Sequence, residues 1–569
     1  MGAVAGRWFR STLALAAIVL GVVLLTRPTT ALGVLALLIG AGLVVAGLLD
    51  LVDDTSGAVR VAAIAWVAAG LVVLVLPGLT VRLVALVVGI GLIVNGVLTA
   101  ASLLRETTLD GRLAAAGLGL AGVVFGALAL AWPDITLLVV AVVFAARLIM
   151  GGIAALWRAP GRRGPATTGR WRRGIGALIA VVTAVAAATV SLSLQKGSPV
   201  VDDFYAAPRE VPQAPGQLVS FEPFTRQVPA NARAWRILYT STRGDGSPAL
   251  ASGIVVEPVS AGRHPVIEWT HGTTGVAENC APSLLAEPFE SGALMVLPRI
   301  IDQGWAVVAT DYIGLGTRGP HAYLVGQDAA RAALDAVRAA RQLPDARLSD
   351  QTVAWGHSQG GGAALWTGAL ASSYAPDVPL AGVAALAPAS NLPGLVAGLP
   401  TVTGGSIFAS FVMSGFAAAY PDVTYREYLR PGAQTAVRAM AERCLSEPGT
   451  AVSVLVMLGM SRDPVILAKD PATGPLGARL AENVPPPSIT APLLVAQGGA
   501  DSLVVRPAQD GFVRSLCAAG RQVDYRVYAG LDHVPLVEAD SPLVPDLVSW
   551  TKARLAGEPV APGCTTSER

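Results

Sequence analysis

The stretch Val353-Ala354-Trp355-Gly356-His357-Ser358-Gln359-Gly360-Gly361-Gly362 decides how the later part of this chain is read. A short buried-strand pattern runs into Gly-x-Ser-x-Gly, and small residues follow before a helix-like run over Ala363–Ser373. A serine on a sharp strand-to-helix turn carries its hydroxyl clear of the sheet edge, where it can serve as a nucleophile. In a chain with 62 glycines the bare pattern is cheap, so its meaning rests on what surrounds it.

Short apolar runs recur on both sides of it: Ile237–Thr242, Ala251–Glu257, Pro265–Thr270, Trp305–Thr310, Thr352–Trp355, Leu380–Leu386, Pro492–Gln497 and Asp524–Tyr528. The first two flank Arg243-Gly244-Asp245-Gly246, a hairpin signal. Helix-like segments such as Ala329–Arg341 separate most of the later ones. A hairpin followed by alternating strands and helices describes a largely parallel, doubly wound sheet. Ser358 falls at the carboxyl end of the fifth strand, where such sheets place their ligands. Between the sixth and seventh strands, residues 389–488 form an excursion with apolar stretches at Ile407–Phe416 and Val452–Met460. A loop of that length is functional as a rule, and a cap over the site would exclude water and offer an apolar acyl pocket.

A serine hydroxyl needs a general base, and the base needs an orienting acid. In this fold class the chain order is Ser, then Asp or Glu, then His. The chain has five histidines, and His533 alone lies well after Ser358, on a loop directly behind the eighth strand. For the acid, Asp501 follows the seventh strand across Gly498-Gly499-Ala500. Asp524, at the beginning of a strand, and Asp532, adjacent to His533 on a loop where neighbouring side chains usually diverge, are the alternatives. An oxyanion needs preorganised N–H donors. Gln359, directly after the serine, supplies one, and Thr273 in the loop His271-Gly272-Thr273-Thr274-Gly275 the other, with Thr274 as the alternative. His271 buttresses that loop, and Asp311-Tyr312-Ile313-Gly314-Leu315-Gly316 reads as a structural turn. This chemistry calls for no metal or cofactor.

Before about residue 195 the composition changes to almost pure Ala, Val, Leu, Ile and Gly. Seven apolar runs, about 11–25, 31–52, 61–76, 83–104, 113–132, 135–157 and 175–194, approach the ~20 residues of a spanning helix. A second run follows the first almost at once, so the first is not a cleavable signal peptide. Arg7, Arg10, Arg60, Arg105 and Arg112 lie on one side, with six arginines between Arg158 and Arg173; the other side carries little beyond Arg27 and Arg82. The positive-inside rule therefore puts the N-terminus in the cytoplasm and everything after residue 195 on the far side of the cell membrane. The four cysteines, Cys280, Cys444, Cys517 and Cys564, all lie there in no zinc-binding spacing, which fits disulfides in an oxidising compartment. A net charge of +2 offers no field for nucleic acid.

Pro28, Pro77 and Pro133 each precede an aligned leucine (Leu43, Leu92, Leu148) and then a glycine (Gly47, Gly96, Gly152). Three Pro-marked helical hairpins with small residues at a contact face produce such a repeat. Over residues 11–157 it resembles the HdeD-like membrane proteins. Arg147 and Asn95 are the conspicuous polar groups inside these helices. An intramembrane arginine is a functional hypothesis, set against its snorkelling or facing a neighbouring helix.

Residues 202–556 resemble the secretory lipase family of α/β-hydrolases. The resemblance is carried by Asp203-Phe204-Tyr205, Pro215-Gly216, Ile237-Leu238-Tyr239, Asn279-Cys280-Ala281-Pro282-Ser283, Gly304-Trp305-Ala306-Val307-Val308 and Ser373-Tyr374-Ala375-Pro376. It implies ester hydrolysis, a Ser358/Asp501/His533 triad, a cap after the sixth strand, and pairing of Cys280 with Cys444; Cys517 and Cys564 are the other candidate pair. The family's members are secreted and free, whereas here a membrane bundle precedes the hydrolase. The expected organisation is an HdeD-like six-helix domain (1–157), an Arg-rich cytoplasmic loop (158–174), a seventh helix (175–194), a Pro-rich lead-in (195–235), the α/β-hydrolase (236–556) and a tail (557–569). The expected function is that of a membrane-embedded, outward-facing lipase or esterase acting on an ester or lipid. The alternatives are an acyltransferase on envelope lipids or glycans using the same triad, and a stress-response or transport protein carrying a passenger hydrolase.

Overall fold

The computed structural model describes residues 70–157, 171–460 and 466–569, together with stretches within 15–68. The chain divides into two compact units. Residues 1–197, with 425–439 and 451–468, make the first; residues 198–424, 440–450 and 469–569 make the second.

In the first unit the long helices are α1 (Pro77–Ala101), α2 (Leu109–Ala131), α3 (Pro133–Trp157) and α4 (Trp171–Lys196). Proline opens α1 and α3, where its missing N–H costs nothing and its fixed φ suits a first turn. Among the described residues, four helices are long and apolar enough to cross a membrane, and they coincide with the last four predicted runs. The first three runs, Pro28, and the connection 158–170 lie wholly or partly outside the described residues, as does the side chain of Arg147. Where the repeat places Gly96, α1 touches α2: an added Cβ would stand 2.7 Å from the Gly119 carbonyl oxygen. Gly126 meets the Gly89 carbonyl oxygen in the same way. Backbones that close are the purpose of small residues between apolar helices.

The second unit is built on one ten-stranded sheet in the order β1-β2-β3-β5-β4-β6-β7-β8-β9-β10. Its strands are β1 (Leu218–Phe224), β2 (Ala232–Thr242), β3 (Pro248–Pro258), β4 (His264–Thr270), β5 (Ala306–Ile313), β6 (Leu348–His357), β7 (Leu380–Leu386), β8 (Leu493–Gly498), β9 (Val523–Tyr528) and β10 (Cys564–Glu568). The first three strands and the β3/β5 pair are antiparallel, and every later pair is parallel. Ile267 and Trp269 point to one core, with helices α5 (Leu297–Asp302) and, later, Leu543–Leu555. Val266 points to the opposite core, with α6 (Gly326–Ala340). That alternation is the two-residue period of a strand buried on both faces. Beyond the eight predicted strands, β1 arises in the lead-in and β10 in the tail. Both are edge strands; β10 pairs with β9 and is held there by the Cys517–Cys564 disulfide.

The excursion between β7 and β8 is divided. Residues 387–424, 440–450 and 469–492 go with the sheet, including α8 (Leu392–Gly398) and α9 (Gly405–Ala419); α7 (Gln359–Tyr374) precedes it. Residues 425–439 and 451–468 go with the apolar helices.

Glu268, in the middle of β4, is fully buried, and neither carboxyl oxygen has a hydrogen-bond partner among the described residues. Burial pushes its pKa well above the ordinary carboxylate value. The unfolded chain therefore ionises this carboxyl at lower pH than the folded one. Above its unfolded pKa, stability falls with rising pH until the folded pKa is reached, by about 1.4 kcal/mol per pH unit. Glu268→Gln should accordingly raise the melting temperature at pH 8 more than at pH 4, read by thermal unfolding across pH; an equal shift at both would contradict this.

Candidate active site

Ser358 sits between the last residue of β6 and the first of α7 with φ 59° and ψ −118°. That backbone is unfavourable for a residue bearing a Cβ and persists because its surroundings enforce it. Its N–H donates to the Leu386 carbonyl (2.9 Å), and its carbonyl accepts from the N–H groups of Gly362 (3.1 Å) and Ala389 (2.9 Å). The flanking glycines are required by space. A Cβ on Gly356 would lie 2.1 Å from the Gly360 carbonyl oxygen, and one on Gly360 would lie 1.9 Å from that of Thr270. Gly360→Ala should therefore destabilise the domain by about 2–4 kcal/mol. Thermal unfolding measures this, and a variant melting with the parent would refute the crowding.

His533, on the loop after β9, places Nε2 2.9 Å from Ser358 Oγ and Nδ1 2.8 Å from Asp501 Oδ2. Asp501, on the loop after β8, is buried. Its Oδ1 accepts the N–H groups of Leu503 (2.9 Å) and Val504 (2.7 Å), while Oδ2 also accepts from Gln497 Nε2 (3.0 Å). These donors hold the carboxylate so that Oδ2 faces the imidazole. The other acids are occupied elsewhere: Asp524 binds Arg526, and Asp532 accepts from Ser502 and from the His533 N–H.

Three residues that sequence reasoning missed fix this geometry. His357 Nε2 lies 3.1 Å from the His533 carbonyl oxygen, so its N–H holds the histidine loop. Burial, with the neighbouring His533 second, keeps the His357 pKa well below its usual value, which leaves the ring neutral. Gln497 steadies Asp501, as above. Tyr323 OH lies 2.9 Å from Thr273 Oγ1, and burial pushes its pKa up to about 12, which keeps the phenol protonated. The motif pattern names none of them: His357 and Tyr323 act through space on loops distant in sequence, and Gln497 reaches Asp501 only through the turn that follows β8.

Thr273, Ser358 and Gln359 line one cavity. Thr274 is buried and turned away, its hydroxyl donating to the Cys280 carbonyl (2.8 Å) and its carbonyl accepting from the Leu445 N–H (2.8 Å). The Cys280–Cys444 disulfide ties the same loop to the excursion. The Gln359 side chain contacts His321 Nε2 at 3.1 Å, while His321 Nδ1 donates to the Ile313 carbonyl. His271 is buried, with Nδ1 2.6 Å from the Gly272 carbonyl, and burial lowers its pKa to about 4. It supports the loop as a neutral ring. Tyr312 donates its hydroxyl to the His271 carbonyl (3.0 Å) and is itself buried, so it belongs to the support and does not line the cavity. Tyr323 lines it too, and the rest of the wall is apolar, including Leu395, Val396 and Leu399 from the first part of the excursion, Phe408 and Val412 from α9, and Leu503 and Val504 beside the acid. Among the described residues no charged side chain lines it.

Residues 290–563 match the family model described as Secretory lipase, and residues 12–58, 61–116 and 117–189 match a short repeat of unknown function (DUF308). The HdeD-like proteins carry this repeat, and the three matches follow the three Pro-marked hairpins. Lipase 6 of Candida albicans is 25% identical over 410 residues, covering 65% of this chain and 84% of that protein. Lipase A of Moesziomyces aphidis is 25% identical over 388 residues, covering 63% and 81%. Among solved structures, Candida antarctica lipase A in its closed state superposes with a TM-score of 0.53 at 22% identity, over 64% of this chain and 88% of that one. A protein from Legionella pneumophila gives 0.50 at 20% identity, over 61% and 100%. The second unit thus has the lipase A-like α/β-hydrolase fold.

Proposed function

We propose that this carboxylic ester hydrolase, matched to the secretory lipases over residues 290–563, works on the outer side of a membrane through an acyl-enzyme. The observation that carries the mechanism is the continuous relay Asp501–His533–Ser358, at 2.8 and 2.9 Å, on a serine held at the strand-to-helix turn. Ser358 Oγ forms a bond to the ester carbonyl carbon while its proton passes to His533 Nε2. Asp501 keeps the Nδ1 proton on the side facing it and stabilises the imidazolium that forms. The backbone N–H groups of Gln359 and Thr273 receive the oxyanion, each worth ~3 kcal/mol in such sites. The carbon–oxygen bond to the alcohol then breaks, and the alcohol leaves with the proton from His533. Water gives a proton to His533, attacks the acyl carbon and releases the acid, and Ser358 recovers its hydrogen.

The apolar, uncharged cavity supports an apolar acyl chain over a charged one. Seven helices, six within 1–157 and the last α4, which begins at Trp171 and so takes in the final residues of the expected loop 158–174, tether the hydrolase outside the cytoplasm. The arginine distribution and the two disulfides support that orientation. The full-length protein in detergent should hydrolyse p-nitrophenyl esters with medium or long acyl chains in preference to the acetate. Hydrolysis of none of these would refute the reading.

A further inference from the structure

The helix Thr450–Met460, Thr-Ala-Val-Ser-Val-Leu-Val-Met-Leu-Gly-Met, contains no charged residue. Val452, Ser453 and Val456 are buried, whereas Ala451, Val454, Leu455 and Leu458 are exposed, so a wholly apolar stripe faces outward. Among the described residues from 198 onward, eight large hydrophobic side chains are exposed, and three of them (Val454, Leu455 and Leu458) are on this one helix. A helix hydrophobic on both faces belongs in a core or in hydrocarbon. At 1.5 Å per residue it is about 17 Å long, too short to cross a ~30 Å hydrocarbon layer, so it fits one leaflet only.

Residues 451–468 fall in the same compact unit as the apolar helices, and within that unit the position is specific. A Cβ on Gly459 would stand 2.8 Å from Leu138 Cδ1, so the end of this helix packs on the second turn of α3. The Arg-rich loop follows the other end of α3, which makes the Leu138 end the outer one. Trp132, just before α3, donates its indole N–H to Ser191 Oγ near the end of α4 (2.8 Å), a tryptophan at the depth where membrane interfaces carry them.

We infer that the 450–460 helix is inserted in the outer leaflet of the membrane this chain spans, its Ala451, Val454 and Leu455 stripe facing hydrocarbon, and that esters dissolved in that leaflet are the substrate. The inference rests on the hydrolase reading for its substrate claim, but not for insertion. The excursion is thereby anchored in the layer that holds apolar esters, and the enzyme draws on its own membrane.

The test uses the full chain in phosphatidylcholine nanodiscs. Leu455→Trp adds one fluorophore to the parent's eleven tryptophans. Its added emission should be quenched by lipids brominated on the acyl chains and shielded from iodide in the buffer; quenching by iodide and not by bromolipid overturns insertion. In a second arm, Val454→Asp with Leu455→Asp should slow hydrolysis of dioleoylglycerol carried in the disc by about tenfold or more. Hydrolysis of water-dissolved p-nitrophenyl acetate should stay within about twofold. Loss on both esters, or on neither, overturns the substrate claim. A parent inactive on both esters defeats the hydrolase reading itself, and the bromine result still decides insertion.

Discussion

Ser358→Ala should lower kcat for ester hydrolysis by at least about 10⁴-fold while leaving the fold intact. The expected size follows from the role. Without Oγ there is no acyl-enzyme, and only the oxyanion donors and apolar cavity remain to assist water. Intactness follows from the local bonding. The turn is held by the backbone N–H and carbonyl of Ser358 and by the lack of side chains at Gly356 and Gly360; the Ser358 hydroxyl's partner is His533. An alanine Cβ meets the same backbone strain as the serine Cβ. The variant should melt with the parent, and KM for a nitrophenyl ester should move little. A variant that keeps more than about a hundredth of the parent's rate would remove Ser358 from the mechanism.

Asp501→Asn should cost about 10³–10⁴-fold in kcat, again with little change in KM. The asparagine oxygen can keep the two backbone N–H bonds from Leu503 and Val504. Its amide then points at His533 Nδ1 and at Gln497 Nε2, where the carboxylate accepted both. Two donors would face the Gln497 donor and demand a lone pair from Nδ1, which moves the imidazole proton to Nε2. In that tautomer His533 cannot take a proton from Ser358. Single-turnover kinetics should show acylation itself slowed. Unchanged acylation would mean that Asp501 holds the loop and does not orient the base.

Much of the candidate site was legible in the sequence because a serine, an acid and a histidine brought together on a wound sheet leave linear marks. Ser358 must stand between a strand and a helix, and His533 was the histidine available behind the last long strand. Asp501 follows glycines at a strand end. The edges of the sheet left weaker marks. β1 carries Pro223 and lies among prolines, and it pairs with β2 alone; such a strand needs no apolar alternation. β10, Cys-Thr-Thr-Ser-Glu, is largely exposed and owes its place to β9 and a disulfide, which no periodicity reveals. His357 and Tyr323 were equally invisible, since their partners are set by how the loops pack, and Gln497 depends on the shape of the turn between it and Asp501. The division of the excursion between two units was hidden too, although the charge-free stretch Val452–Met460 was conspicuous as an apolar run.

The most direct measurement is the site of covalent capture. The full-length protein is treated with a long-chain alkyl fluorophosphonate, digested and sequenced by mass spectrometry. The account predicts one alkylphosphonyl group on Ser358, at a rate lowered at least about a hundredfold by Asp501→Asn. Modification of another residue, or equal labelling of the Ser358→Ala protein, would contradict it.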